Sequence, residues 1–239
     1  MKMFPFFVLG FLLFQAQRLE AADTVTVASS DVLPAVRQPR VAVNEAGHIF
    51  VAFGANEDVF VCKSVDEGKT FSTPVKVGHI PKLALGMRRG PRIAAGMRCV
   101  VVTAISHESG DVMAWLSNDA GTTWSDFTRV NDDPGSAREG LHGMASGPNG
   151  LLFCAWLDLR HGSTQIYGAS SADNGRTWSD DRRIYASPSG TVCECCHPSV
   201  AISSRGSVYV MWRNLLDGNR DMYVAKSGDN GQTFDPAEK

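Results

Sequence analysis

The side chains most suited to binding an acidic ligand are five cations at related places in the chain. They are Arg37, Arg89, Arg138, His142 and His197, and each stands shortly before a short apolar segment that recurs four times. If these segments are equivalent strands of repeated units, the residues before them converge at one end of the molecule. Such a cationic end suits a carboxylate, which pairs with guanidinium groups through two parallel hydrogen bonds.

A second reactive group is the cluster Cys193, Cys195 and Cys196, followed directly by His197. Thiolates and imidazole are soft ligands that suit zinc or copper. Adjacent cysteines rarely bind one ion, however, and the favoured interpretation for an exported chain is a local disulfide such as Cys193–Cys196, or a structural turn. A metal site and redox chemistry stay open as alternatives. We assign no metal ligand at this point and expect no cofactor.

A third cluster is formed by Asp158, Arg160 and His161. The equivalent loop of the next unit contains Asp217. We therefore expect a structural Asp–Arg pair that holds a solvent loop. The other cysteines, Cys62, Cys99 and Cys154, lie in apolar runs and are expected to be small buried side chains.

The elements that position these residues are marked by one repeated phrase. Its pattern is Ser-x-Asp-x-Gly-x-Thr-aromatic, at residues 64–71, 117–124, 171–178 and 227–234. Asp accepts hydrogen bonds from turn amides, Gly supplies a positive φ, and the aromatic ring anchors the turn. The phrase therefore predicts a tight turn, and its spacing of 53 to 56 residues predicts a repeat architecture.

Each unit also contains short apolar segments that are typical of strands. First strands are expected at 39–43, 91–95, 143–146 and 198–202, and second strands at 48–53, 99–105, 151–156 and 207–212. Third strands at 59–62, 112–115, 166–169 and 222–225 lead into the phrase, and fourth strands follow it at 74–77, 127–130 and 183–185. Four short strands per unit predict the blades of a β-propeller.

The repeated phrase resembles the Asp-box of the sialidase (neuraminidase) superfamily, and the resemblance covers residues 37–239. It implies an all-β, sialidase-like β-propeller domain over residues 23–239, with about four Asp-box blades present. Sialidase-like propellers usually have six blades, so we expect a C-terminally incomplete part of a six-bladed ring. The alternative is that residues 24–27 supply the missing strand and close a smaller ring.

The resemblance also implies roles for individual residues. Sialidases begin their first blade with Arg-x-Pro, whose arginine holds the sialic acid carboxylate, and Arg37 stands in such a motif. Arg89 repeats the motif one blade later, which leaves a structural role for Arg37 open. In the fourth unit Arg213 matches a second carboxylate-binding arginine of the family. His197 occupies the place of a family glutamate, and Glu194 lies three residues earlier.

From this resemblance the candidate catalytic residues are Arg37, Arg213, His197 and Glu194, and the candidate substrate-binding residues are Arg89, Arg138 and His142. The tyrosine nucleophile of sialidases has no evident counterpart. Tyr167, Tyr185, Tyr209 and Tyr223 all fall in predicted strands, where packing is the expected role. Asp58 recurs as Asp111 and Asp221 in other units, so a strand-entry role is favoured over acid catalysis.

The first 22 residues are typical of an export signal: Lys2, an apolar run at 4–14, and small residues at Ala21 and Ala22. The run is too short to span a bilayer. We expect a removed leader and a secreted or extracytoplasmic protein without a membrane span, with an uncleaved anchor as the alternative. A net charge of −2 and the lack of any Lys/Arg run argue against nucleic-acid binding.

Two functions fit these observations. One is an exo-sialidase-type glycoside hydrolase, or a derivative of one, acting on terminal acidic sugars through an arginine cluster at the channel mouth. The other is a non-catalytic propeller that binds carbohydrate or protein. The lack of a convincing tyrosine and acid residue favours binding for these 239 residues. The oligomeric state is left open.

Overall fold

The computed structural model describes residues 24–96, 98–188 and 191–239, and its regular elements are fifteen β-strands and one short 3₁₀ turn. The predicted leader lies outside the described residues. The first sheet contains β1 (Val36–Val43), β2 (Ile49–Ala55), β3 (Asp58–Ser64) and β4 (Val75–His79). The second contains β5 (Arg92–Ala95), β6 (Val100–Ile105), β7 (Val112–Ser117) and β8 (Thr128–Arg129).

The third sheet contains β9 (His142–Ser146), β10 (Leu152–Asp158), β11 (Gln165–Ser171) and β12 (Arg182–Tyr185). The fourth contains β13 (Ser199–Ile202), β14 (Val208–Leu216) and β15 (Asn219–Ser227). In every sheet the strands pair antiparallel in chain order. The prediction of an all-β chain with four similar blades is therefore confirmed.

The four sheets meet along their first strands. β1 packs beside β5, β5 beside β9, and β9 beside β13. The approach is closest between the last two, where a Cβ atom on Gly143 of β9 would lie 2.3 Å from the carbonyl oxygen of Pro198. A side chain at this position would overlap the Pro198 carbonyl, so only glycine allows the two inner strands to approach this closely.

Apolar side chains fill the space between neighbouring sheets. Strands β10 and β11 are buried along their whole length because sheets cover both of their faces. Trp156 and Trp212 are the largest fully buried side chains and lie in separate core clusters. Cys62 and Cys154 are fully buried, as predicted, whereas Cys99 is only partly buried because it lies just before β6.

The Asp-boxes lie between the third and fourth strands of the first three units, as predicted, and directly after the third strand of the fourth unit. In the third box the Ser171 hydroxyl donates to Asp173 at 2.8 Å and accepts from the Gly175 amide at 2.8 Å. Asp173 also accepts from the Thr177 amide and hydroxyl at 2.9 and 2.7 Å. The other three boxes repeat these contacts. The repeated phrase is thus a repeated hydrogen-bonded turn.

The sheets do not close into a ring. The fourth sheet has three strands, and Glu238 forms an isolated antiparallel bridge to its outer strand by exchanging two backbone hydrogen bonds of 2.8 Å with Val224. Residues 24–27 form no strand, and the Val27 carbonyl accepts a hydrogen bond from Cys62 of the first sheet. The alternative of a small ring closed by residues 24–27 is therefore wrong. Within the described residues, no helix is long and apolar enough to cross a membrane.

Candidate functional site

Strand register brings most of the predicted site residues to one end of the sheets. Arg37 pairs with Gly54, at the beginning of β1 and the end of β2. In the fourth sheet Ser199 pairs with Met211, so the register carries His197 to the level of Arg213. The Asp-boxes follow the ends of the third strands and so lie at the opposite end. The Asp-box turns and the candidate site therefore lie at opposite ends of the sheets.

A cleft of about 440 Å³ opens at this end. We call it the arginine cleft, and its lining residues are Met87, Arg88, Arg89, Glu194, Cys195, Cys196 and Arg213. The first three precede β5 of the second sheet, whereas the others belong to the fourth unit. Three of the predicted site residues, Arg89, Glu194 and Arg213, are therefore brought together from two blades.

The guanidinium groups of the cleft differ in how far they are already engaged. Arg89 donates from Nε to the Glu139 carbonyl at 2.7 Å, and its Nη2 lies 3.7 Å from the Glu139 carboxylate. Arg88 and Arg213 make no side-chain hydrogen bond or ion pair with any other described residue. Glu194 accepts from the hydroxyls of Thr164 and Thr191, each at 3.3 Å. Two guanidinium groups are thus available to an anion.

The loop that carries Arg88 has an unusual backbone. Gly86, Met87 and Arg88 have consecutive φ values of 83°, 48° and 69°, and a bridge between Gly86 and Arg89 closes the turn. Positive φ costs free energy for residues with a Cβ, and such conformations cluster at functional sites. Here the turn places Met87 and Arg88 at the wall of the cleft.

A second group of basic side chains lies on or just before the inner strands, close enough for their charges to interact; we call it the basic channel. It consists of Arg40, Arg92, His142 and His197. Arg92 is buried, and its guanidinium donates to the carbonyl oxygens of Arg88, Gly90 and Pro91 at 2.9 to 3.1 Å. Burial, followed by repulsion from Arg40, lowers the pKa of Arg92 to about 9.

The two histidines of the basic channel are held neutral. His142 is fully buried, shares a 3.0 Å hydrogen bond between Nε2 and the Thr103 hydroxyl, and has no partner for Nδ1 among the described residues. Burial and then the charge of Arg92 hold its pKa well below its ordinary value. Burial likewise lowers the pKa of His197, with Arg92 and Arg40 adding to the effect. Neither histidine lines the arginine cleft.

Arg37 and Arg138 are also outside the lining of the cleft. Arg37 is exposed at the beginning of β1. Arg138 lines a separate surface hollow with Asp133 and Arg160, and its carbonyl lies 3.2 Å from Nδ1 of His107. Of the seven predicted site residues, the structure therefore brings three into the cleft, two into the basic channel, and leaves these two at the surface.

The Asp158 and Arg160 pair is structural, as expected, and the loop that it holds is exposed to solvent at His161 and Gly162. Arg160 contacts Asp158 through two hydrogen bonds of 2.9 Å, pairs with Asp181, and stacks over the Tyr167 ring at 4.2 Å. Its side chain is largely buried. Asp158 also accepts a hydrogen bond from the Trp156 indole at 2.8 Å. The network joins the second and third blades.

The tyrosines, with the exception of Tyr209, and the aspartates at the beginning of the third strands stabilise the fold. Tyr185 packs on Trp212 and Tyr223, and its hydroxyl accepts from Asn214 at 2.8 Å. Asp58, Asp111 and Asp221 tie the third strands to the segments beyond them. Tyr209 is the exception, because 38% of it is exposed on the outer face of the fourth sheet. No tyrosine lines the arginine cleft.

A larger hollow of about 520 Å³ lies at the Asp-box end of the inner strands. Its lining includes Val43, Gly96, Pro148 and Ser204, and Glu45 is its one ionisable side chain apart from Cys99. It lacks the cations that would bind an acidic group. We therefore take the smaller arginine cleft as the candidate site.

Sequence reasoning missed Arg40, Arg88, Arg92 and Met87. The first and third could have been found, because Arg-x-Pro-Arg occurs in both of the first two units and its second arginine also repeats. Strand alternation then turns that second arginine inward. Nothing in the sequence pattern pointed to Met87 or Arg88, whose positions depend on the strained turn at 86–88.

Comparison with known proteins gives the same architecture. A family model described as a BNR repeat-like domain matches residues 97–239. The chain is similar to a Hadza microbial sialidase (TM-score 0.60, 15% identity, 86% of this chain and 47% of that one). It is also similar to a leech intramolecular trans-sialidase (TM-score 0.66, 11% identity, 91% and 53%).

An α-L-arabinofuranosidase from Fusarium graminearum is similar as well (TM-score 0.54, 16% identity, 83% and 64%). The chain thus spans about half the length of the sialidase and the trans-sialidase. A search of curated protein sequences finds no match. At these identities the solved structures establish the sialidase-like propeller fold, and the family model covers more than half of the chain. The chain belongs to the family of BNR repeat-like domain proteins.

Proposed function

We propose that this chain binds the acidic sugar ends of glycans, with the carboxylate of the sugar held in the arginine cleft. The observation that carries the proposal is the meeting of Arg88, Arg89 and Arg213 from two blades in one cavity of about 440 Å³. A volume in this range suits one or two sugar rings. An extracytoplasmic location, argued from the leader sequence, is part of the proposal.

The charges of the cleft support an acidic rather than a neutral ligand. Within the described part of the chain, Arg88 and Arg213 have no carboxylate partner, and Arg89 has one, Glu139. The neighbouring basic channel adds the buried cation Arg92. A carboxylate in the cleft would form charged hydrogen bonds, each worth about 1.5–3 kcal/mol. Similarity to a sialidase and a trans-sialidase supports the same ligand class.

Binding is favoured over hydrolysis because the cleft holds few catalytic groups. Retaining and inverting glycosidases use a pair of carboxyl groups, and sialidases use a tyrosine nucleophile. The cleft contains one carboxylate, Glu194, and no tyrosine. Hydrolysis remains the second candidate function because Glu194 does face the cavity. Release of a fluorogenic group from an aryl sialoside, abolished by Arg213→Gln and by Glu194→Gln, would establish it.

The binding proposal is tested by titrating the protein with 3′-sialyllactose and with lactose. We expect binding of the acidic sugar only, and a loss of affinity of about tenfold or more in Arg213→Gln, since one charged hydrogen bond is removed. Arg205→Gln is the matched control, because Arg205 is exposed on the β13–β14 turn at the other end of the same sheet. Equal affinity for both sugars, or an unchanged Arg213→Gln, contradicts the proposal.

A further inference from the structure

The loop before β13 brings three thiols together. The Sγ atoms of Cys193, Cys195 and Cys196 are separated by 3.3, 3.4 and 3.8 Å. Three sulfurs bound to a single ion at about 2.3 Å in a trigonal arrangement lie about 4.0 Å apart, so small side-chain movements suffice to bind one. In the described part of the chain, this is the one cluster of three or more His, Cys, Asp or Glu ligand atoms within 4.8 Å of each other.

The backbone that carries the thiols is anchored on two sides. The Cys193 amide donates to the Arg213 carbonyl at 3.0 Å, and the Val192 amide donates to the Thr164 carbonyl at 3.0 Å. The Cys196 amide then donates to the Cys193 carbonyl at 3.2 Å and closes the turn. These bonds tie the loop to β14 and to the β10–β11 hairpin, so the convergence of the sulfurs does not depend on a disulfide.

We propose that Cys193, Cys195 and Cys196 bind one monovalent copper ion through three thiolates. This departs from the expectation of a local disulfide, because a disulfide would use two sulfurs and leave the third unpaired in contact with them. Thiolate and thioether ligands select Cu(I) and zinc. Among the residues that the structure describes, no imidazole or carboxylate completes a tetrahedral set for zinc at this cluster. Met87, a soft thioether, lines the same cleft and favours copper.

The surroundings also suit the charge of such a site. Binding of Cu⁺ to three thiols releases three protons to solvent and leaves a complex with net charge −2. Arg88, Arg89 and Arg213 line the cleft together with Cys195 and Cys196. Their positive charges offset the charge of the complex. Cys195 is exposed, so the ion has a route of entry from solvent.

The test uses the full chain, reduced and kept without oxygen, in competition with bathocuproine disulfonate for Cu(I). We expect one copper per chain and an affinity about 100-fold weaker in Cys195→Ser, because a metal ligand is lost. Cys99→Ser is the matched control, since Cys99 is partly exposed in the second blade and outside the cluster. X-ray absorption of the loaded chain should show sulfur-only coordination.

Several outcomes contradict the proposal. They are failure of the reduced chain to compete for Cu(I), equal affinity in Cys195→Ser, an equal loss in Cys99→Ser, and displacement of the copper by equimolar Zn(II). A thermal melt of each variant without metal checks that it folds. Cys195→Ser should melt like the unchanged chain because its side chain is exposed. The proposal does not rest on sugar binding, since copper alone is the probe.

Discussion

At the scale of single residues, the Asp-box aspartates are structural anions. The Thr123 hydroxyl and amide and the Ser117 hydroxyl hold the pKa of Asp119 down at about 2. Asp66 has the same set of donors and also a pKa of about 2. These carboxylates therefore stay ionised at all ordinary pH values, and their charge serves turn amides and hydroxyls rather than a ligand.

The serine of each box is more deeply buried than the aspartate, and we expect it to matter for stability. In Ser171→Ala the buried Gly175 amide loses the hydroxyl that accepts its hydrogen bond, which should lower the free energy of unfolding by about 1–3 kcal/mol. Chemical denaturation measures the change. Ser204→Ala, at an exposed turn position, should change it by less than about 0.5 kcal/mol. Equal effects in the two variants would show that the box bond contributes little.

Also at the residue scale, sequence could predict the box contacts but not all of the site. Each box is local, so eight residues determine its hydrogen bonds. The arginine cleft instead joins residues more than a hundred positions apart, and its wall depends on the backbone of Met87 and Arg88. Arg37 and Arg89 have the same motif, yet only Arg89 reaches the cleft.

At the scale of elements, the second and third blades are joined by a network in which several carboxylates surround one arginine, Arg160. Asp132 and Asp181 exchange backbone-to-carboxylate hydrogen bonds of 2.9 to 3.2 Å, and Arg160 contacts both side chains. Burial, and then the adjacent Asp132, raises the pKa of Asp181 to about 7. A carboxyl group that titrates near neutrality therefore lies at this junction.

This pKa predicts how stability changes with pH. Asp181 is raised above its ordinary value of 3.8, so the folded state binds more protons between pH 4 and 7. The raised pKa of Asp181 therefore stabilises the folded state fully below pH 4, and this stabilisation is lost as the pH rises through 7. In Asp181→Asn this loss should vanish. The difference in unfolding free energy between the two proteins should change by at most about 1.4 kcal/mol per pH unit.

Urea unfolding at several pH values between 4.5 and 8 measures this difference. Asp180→Asn is the control, because Asp180 is exposed beside the network and should give a curve parallel to that of the unchanged chain. A constant difference between the unchanged chain and Asp181→Asn over this range would show that Asp181 is ionised throughout.

The strands themselves could be predicted closely, because alternating apolar residues and turn signals recur in each blade. The main differences are in the fourth sheet. There β14 continues beyond Trp212 and β15 begins before Met222, so that the two strands form one long hairpin. The apolar pattern could not predict this extension, because it contains polar residues such as Asn214 and Asp221. Backbone pairing at Leu216 and Asn219 maintains it without apolar side chains on both strands.

At the scale of the whole molecule, the two end sheets differ from the two middle ones. Val41 and Val43 are exposed on the first sheet, and Tyr209, Met211 and Met222 are exposed on the fourth. The middle sheets have neighbours on both faces and expose few apolar side chains. The repeat period could predict the number of blades. It could not predict the arginine cleft, because a cavity between blades depends on their mutual placement.

The most direct measurement is a crystal structure of the protein soaked with 3′-sialyllactose. We expect the sugar carboxylate to lie within about 3 Å of the Arg213 guanidinium, with Arg88 or Arg89 as a second donor. A sugar bound instead in the hollow at the Asp-box end of the inner strands, or a carboxylate pointing away from all three arginines, would contradict this expectation.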